Sequence, residues 1–246
     1  MEPDSSVLAG RWRVVAFVAL AAAVVAWFVV APHLPALSLW PTVAVVSGAV
    51  LPGTLLLVLV ALPLARLPWN VLALTALVLG IVAFACSEAG WAVAENFAKL
   101  GAAVFAGWAF LYLFADIGLV LLIAVIIPIV DAISVFTPGA PTHEIVKHHI
   151  SIYNHVAVAF LGPHGAAAQL GPPDILFFAL FLAAAARFGL RPGWTWLATT
   201  ALYASSFPIA IATHANGLPA LPFLSVGFLG ANADLLWRTL RKRRVG

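Results

Sequence analysis

The chain has 246 residues, of which 64% are hydrophobic and 9% charged, whereas a soluble domain carries roughly a quarter charged residues. This excludes an ordinary water-soluble fold: apolar stretches of about 20 residues, enough to cross a bilayer, recur from end to end and leave no segment for a large soluble domain. The formal charge of +3 gives no argument for a nucleic-acid partner, and Cys86, the only cysteine, excludes an intrachain disulfide and a multi-cysteine metal site.

In chain order the pattern predicts an all-α polytopic bundle of about eight spans, near 14–31, 41–65, 69–86, 91–115, 117–136, 172–190, 193–213 and 218–237. The N-terminus does not read as a cleavable signal. Glu2 and Asp4 are acidic where such peptides are basic, and the apolar run after Arg13 is long. Breakers separate the spans: Pro32 and Pro35, Arg66 to Pro68, Ser87 to Gly90, Pro192 with Gly193, and Asn216 with Gly217. Between the fourth and fifth spans only Asp116 and Gly118 mark a break. The chain therefore divides into N-terminal transmembrane helices, 1–115, and a C-terminal transmembrane region, 116–246.

Charge orients this scheme. With the N-terminus inside, Arg11, Arg13, Arg66, Arg187, Arg191, Arg238, Arg241, Lys242, Arg243 and Arg244 all fall on the cytoplasmic side. Only Lys99 and Lys147 do not, so the positive-inside rule is met with both termini cytoplasmic in a cell membrane. The C-terminal cluster then reads as an anchor touching anionic lipid of the bilayer.

The one long connection, 137–171, is external in this scheme. It contains Thr137-Pro138-Gly139, several histidines and the apolar piece Val156 to Leu161, too short to span and rich in strand formers. His143, Glu144, His148 and His149 do not have the H-E-x-x-H spacing of a zinc helix. They read as solvated loop residues, with no metal and no cofactor expected.

Aspartates inside membrane spans are expensive and mark function by default. Asp131 lies in Ile129-Val130-Asp131-Ala132-Ile133-Ser134-Val135, one to two turns below the outer end of the fifth span. Asp174 lies in Leu170-Gly171-Pro172-Pro173-Asp174, within a turn of the start of the sixth. Adjacent antiparallel spans bring the two to similar depth. Two carboxyls together at low dielectric cannot both ionise easily and can share a proton. Aspartyl hydrolysis requires that arrangement: one carboxylate activates water while one acid protonates the carbonyl oxygen or the leaving amine.

The segment Asp131-Ala132-Ile133-Ser134-Val135 resembles the first active-site motif of the presenilin and signal peptide peptidase family, the GxGD intramembrane aspartyl proteases. Leu170-Gly171-Pro172-Pro173-Asp174 resembles its second motif, and Pro219-Ala220-Leu221 its PAL motif. The order of aspartate, loop, aspartate, one helix and PAL is the family's, and the likeness covers about 117–237, in a form of prokaryotic type. It implies Asp131 and Asp174 as the catalytic pair. Gly171, Pro219, Ala220 and Leu221 would line the substrate cleft, and the substrates would be transmembrane helices or signal-peptide remnants. Two positions depart from the pattern: Val130 stands where the family usually has Tyr, and Pro173 where it has the second Gly.

Taken singly, these residues also have plain explanations. Proline at a helix start followed by Asp in the first turn is ordinary capping chemistry, and Pro219 can simply open the last span. Asp116 reads as the cap of the fifth span, Glu95 and Lys99 as an i, i+4 pair, and Asn232 and Asp234 as cytoplasmic-end residues. Two rival functions follow. One is a proton-coupled transporter using the two aspartates as a relay. The other is a catalytically inactive relative that binds membrane helices.

Overall fold

The computed structural model of the chain describes residues 5–137, 155–165, 167–214 and 218–245, with the side chains of 5–10, 167, 240 and 242–245 left aside. Helix α1 (Ser5–Val30) ends in a 3₁₀ turn, Ala31–His33. The second rod is continuous from Leu39 to Arg66: α2 (Leu39–Val45), a π turn (Val46–Val50), α3 (Leu51–Ala61) and a 3₁₀ turn (Leu62–Arg66). Pro52 explains the π turn. Its ring displaces the carbonyl four residues earlier, and a wider turn relieves that clash. Helices α4 (Trp69–Glu88) and α5 (Ala92–Phe110) follow, then α6 (Ile117–Phe136). A two-stranded hairpin comes next, β1 (Val158–Leu161) and β2 (Ala167–Leu170), and then α7 (Pro172–Arg187), α8 (Pro192–Ala212) and α9 (Leu221–Val245).

Among the described residues, five helical rods are long and apolar enough to cross a membrane by length and composition: Arg11–His33, Leu39–Arg66, Trp69–Glu88, Ala92–Leu113 and Ile117–Phe136. Their outer faces are apolar. On α4, Leu74, Leu77, Ile81 and Phe84 form a stripe at helical spacing, all exposed. On α6 the same is true of Leu122, Val125, Ile129 and Ile133. Water would not tolerate contiguous faces of this kind, and acyl chains cover them without penalty. The division at Asp116 stands: its side chain accepts the Gly118 N–H at 2.6 Å and caps α6.

Helices α7, α8 and α9 stand where the last three spans were expected. At 16 residues, α7 is the shortest of the three, and it meets almost no lipid. From Phe178 to Ala185 every residue is buried, as an all-apolar helix must be at the centre of a bundle. It packs against α5, α8, α9 and α6 in turn, α9 packs against α8 and α6, and α3 packs against α8. The lines 1–115 and 116–246 thus meet in one core, because α5 is the main neighbour of α7.

Two glycines permit this closeness. A Cβ on Gly107 of α5 would run into the Leu176 carbonyl oxygen of α7, and one on Gly227 of α9 would lie 2.7 Å from the Thr199 Cα of α8. Membrane helices associate by such close packing, since apolar side chains gain nothing by leaving lipid. Across the α7–α9 contact Phe181 and Phe228 stack with ring centroids 4.8 Å apart. Midway along α9, Asn232 ties that helix to the start of α8. Its amide donates to Thr195 Oγ1 at 2.8 Å and accepts the Arg191 N–H at 3.0 Å. Arg191 holds Asp234 through both guanidinium nitrogens, at 2.9 and 2.8 Å.

Candidate functional site

The carboxyl of Asp174 follows from local helix chemistry. Gly171 is the N-cap of α7, Pro172 and Pro173 are its first two residues, and Asp174 is the third. The Asp174 N–H donates to the Gly171 carbonyl at 3.1 Å, and Asp174 Oδ2 accepts the Gly171 N–H at 3.1 Å. That is the reciprocal bond of a capping box, which fixes the side chain over the first turn. Neither proline costs a hydrogen bond, because first-turn N–H groups have no partner within the helix. Gly171 is buried with φ −64 and ψ 149, a conformation open to any residue, and its N–H is committed to Asp174.

Asp131 is held differently. It sits on α6, five residues before the end of that helix and one turn after Pro128, which removes a backbone donor from the helix interior. Its Oδ2 accepts the Leu221 N–H of α9 at 3.0 Å. Ala220 is the N-cap of α9, since its carbonyl accepts from Phe223 and Leu224 at 3.1 and 3.2 Å. An orphan donor at the start of α9 is therefore satisfied from α6, across 90 residues of sequence. Pro219, Ala220 and Leu221 are all buried, so the segment is packed as well as bonded.

One carboxyl thus lies at the N-terminus of α7 and the other at that of α9, near enough for the charge of Asp131 to act on Asp174. Each helix end favours a negative charge, and the neighbouring carboxyl opposes a second one. Both side chains are half-buried rather than sealed. Of the residues expected at the site, Asp131 is hydrogen-bonded to Leu221 and Asp174 to Gly171, and Pro219 and Ala220 adjoin Leu221 in sequence. Val130 faces away, exposed at 52%, so no aromatic ring reaches the pair from that position.

No family model, curated protein or solved structure matches the chain.

The hairpin before α7 was only partly expected. The apolar piece Val156 to Leu161 contains a strand, Val158–Leu161, and a second strand, Ala167–Leu170, pairs with it antiparallel, Val158 opposite Leu170 and Leu161 opposite Ala167. His164 and Gly165 turn the chain with φ 58 and 74. The outer edge of β1 is occupied. Asn96 of α5 donates to the Ala159 carbonyl at 2.9 Å and accepts its N–H at 2.7 Å, and Trp27 of α1 donates to the Leu161 carbonyl at 2.7 Å. Sequence reading passed over Asn96; a neutral amide inside an apolar span was the available signal. Glu95 and Lys99, beside it, pair within α5 as expected.

In an antiparallel ladder the N–H and C=O of one residue point the same way. Ala159 turns both toward Asn96, so Gln169, its partner across the ladder, turns both away from β1. Among the described residues nothing bonds that edge of β2, five residues before Asp174. Among the described residues no three His, Cys, Asp or Glu side chains gather as a metal site. His143, Glu144, His148 and His149 lie outside the described residues.

Pro173 is exposed at the second position of α7, where its fixed φ suits a helix start. Pro173→Gly is expected to lower stability by about 0.4–1 kcal/mol by enlarging the unfolded ensemble. It should also loosen the turn that carries Asp174. Thermal unfolding in detergent checks the first effect. For the second, turnover of a membrane-helix substrate by the two proteins is compared; a faster glycine variant means the proline restrains the site, and a slower one means it shapes it.

Proposed function

We propose that the chain is an intramembrane aspartyl endopeptidase, similar to the presenilin and signal peptide peptidase family, cutting peptide bonds within transmembrane helices or signal-peptide remnants. The observation that carries this reading is the proximity of Asp131 and Asp174 at the N-termini of α9 and α7, with Leu221 bonded to Asp131. The pair carries one negative charge and one proton: the carboxylate takes a proton from water as it attacks the scissile carbonyl, and the acid protonates the carbonyl oxygen. The resulting tetrahedral diol collapses with proton transfer to the leaving amine.

A helical substrate hides its peptide bonds, so it unwinds before water can attack. Its extended backbone then has polar groups that lipid does not satisfy. The edge of β2 at Gln169 offers an N–H and a C=O to such a strand by β-addition. The other edge, on β1, cannot take this role, since Asn96 and Trp27 occupy it. Purified protein in lipid bicelles is expected to cut a transmembrane peptide. A peptide isostere with a hydroxyl-bearing tetrahedral carbon in place of the scissile carbonyl should block the reaction, as a transition-state mimic. Cleavage that persists under saturating isostere would sink the reading.

Eight spans with both termini in the cytoplasm complete the proposal. In this arrangement the dyad and the hairpin lie toward the external face. Single cysteines in a Cys86→Ala background, at 148 and at 241, test it. Labelling of 148 from outside and of 241 from inside is the expected result, and the reverse pattern defeats it.

A second reading has one observation in its favour. Both aspartates also cap helices, Asp174 its own and Asp131 that of α9, and capping alone accounts for their hydrogen bonds. On that reading the chain holds membrane helices without cutting them.

A further inference from the structure

At the end of the bundle opposite the aspartate pair, α1, the end of α3, the 3₁₀ turn after α5 and the end of α7 enclose an open cavity of about 1090 Å³. That is larger than the roughly 300–1,000 Å³ of most small-molecule sites. Its composition is divided. Three arginines line it, Arg13, Arg66 and Arg187, and among the described residues no acidic one does. The rest of the wall is mainly apolar, including Leu59, Val60, Leu62 and Ala183, with Trp12 and Tyr112 at the aromatic positions.

The three cations differ in how they are held. Arg187 is fixed: its Nη1 donates to the Leu111 carbonyl at 3.2 Å, and its guanidinium lies 5.4 Å from the centres of the Tyr112 and Phe188 rings. Arg13 and Arg66 have no acidic partner among the described residues and are exposed. Guanidinium groups bind phosphate through paired N–H donors. Three of them around one apolar-walled cavity ask for an anion that carries its own hydrocarbon.

We propose that this cavity is a binding site for an anionic phospholipid, its phosphate among Arg13, Arg66 and Arg187 and its acyl chains along Leu59, Val60 and Ala183. A free phosphate shares the headgroup chemistry but leaves the apolar wall uncovered. The arginines fall on the side that the charge pattern makes cytoplasmic, and basic pockets between membrane helices on that side hold acidic headgroups. The site is separate from the aspartate pair and does not depend on proteolysis.

The test is native mass spectrometry of the full chain, titrated in detergent with phosphatidylglycerol and, in parallel, with phosphatidylcholine of the same acyl chains. One phosphatidylglycerol is expected to bind in preference to phosphatidylcholine. Combining Arg13→Gln with Arg66→Gln should cut that preference about 30-fold, with thermal unfolding unchanged because both residues are exposed. If the double variant does not fold, Arg66→Gln alone should cut it about 5-fold. Arg238→Gln with Arg241→Gln, at the other basic cluster, should leave the tight site intact. The proposal is overturned by equal binding of the two lipids, or by an equal loss in both arginine pairs, which would mean general charge attraction. Displacement of phosphatidylglycerol by millimolar inorganic phosphate would also overturn it, leaving a phosphate site.

Discussion

Asp131→Asn and Asp174→Asn are each expected to lower cleavage of a membrane-helix substrate by at least about 100-fold, the lower end of what a positioned acid or base contributes, while the protein still folds. The two roles of these carboxyls separate in the substitutions. Asparagine keeps an oxygen that accepts the Leu221 N–H at position 131 or the Gly171 N–H at position 174, so each helix start remains capped. What asparagine cannot do is exchange a proton with water, the peptide carbonyl or the leaving amine. Asp131→Ala removes the acceptor as well. It strands the N–H donor of the buried Leu221, at about 1–3 kcal/mol for an unsatisfied buried group, and loosens α6 from α9. If capping were the whole role, the asparagine variants would work as well as the native chain and the alanine variants would fail. If the pair is catalytic, asparagine abolishes turnover at native stability. Rates in bicelles, set beside unfolding temperatures of the same preparations, separate the two outcomes.

The helix pattern was legible in the sequence, and with it the first five spans, because proline, glycine and charge interrupt hydrophobic runs at places where a helix must end. Asp116 is the clearest case: a single acidic residue before Gly118 divides two apolar runs, and the structure has it capping α6. The two aspartates were legible for a related reason, since lipid makes any buried carboxyl conspicuous. What holds them was not. The bond from Leu221 to Asp131 joins α9 to α6, and nothing in Pro219-Ala220-Leu221 says that the donor is backbone rather than side chain. The hairpin was half legible. Gly162-Pro163-His164-Gly165 is turn chemistry, and Val158 to Leu161 favours a strand. The partner strand, Ala167-Ala168-Gln169-Leu170, has no β-branched residue and takes its form from pairing with β1. Of the last three helices, the one over 193–213 stands within a residue of its expected place, whereas α7 stops short of 190 and α9 runs past 237; α7, buried from Phe178 to Ala185, needs neither the length nor the outward apolar face of a lipid-facing span.

Asn96→Ala is expected to destabilise the chain by about 1–3 kcal/mol and to slow cleavage by more than its share of unfolded protein. The side chain is buried, and it satisfies both backbone groups of Ala159, donor and acceptor, from the side of β1 that β2 leaves open. Alanine strands both groups in an apolar setting. The second loss is positional. β1 holds β2 through their ladder, β2 runs directly into Gly171, and Gly171 fixes the Asp174 carboxyl, so a hairpin free to shift carries the site with it. Displacements of about 1 Å near a reacting bond can cost about 100-fold in rate. Trp27→Phe removes the other anchor, at Leu161, and should cost less, since one acceptor rather than a donor and an acceptor is left bare. Because both anchors hold one strand, the double variant should lose less stability than the two single losses added together. Additive losses would mean that Asn96 and Trp27 act on separate parts of the chain. A folded Asn96→Ala protein that cuts at the native rate would mean the hairpin does not position Asp174 at all, and with it the strand-addition edge at Gln169 would lose its place in the mechanism.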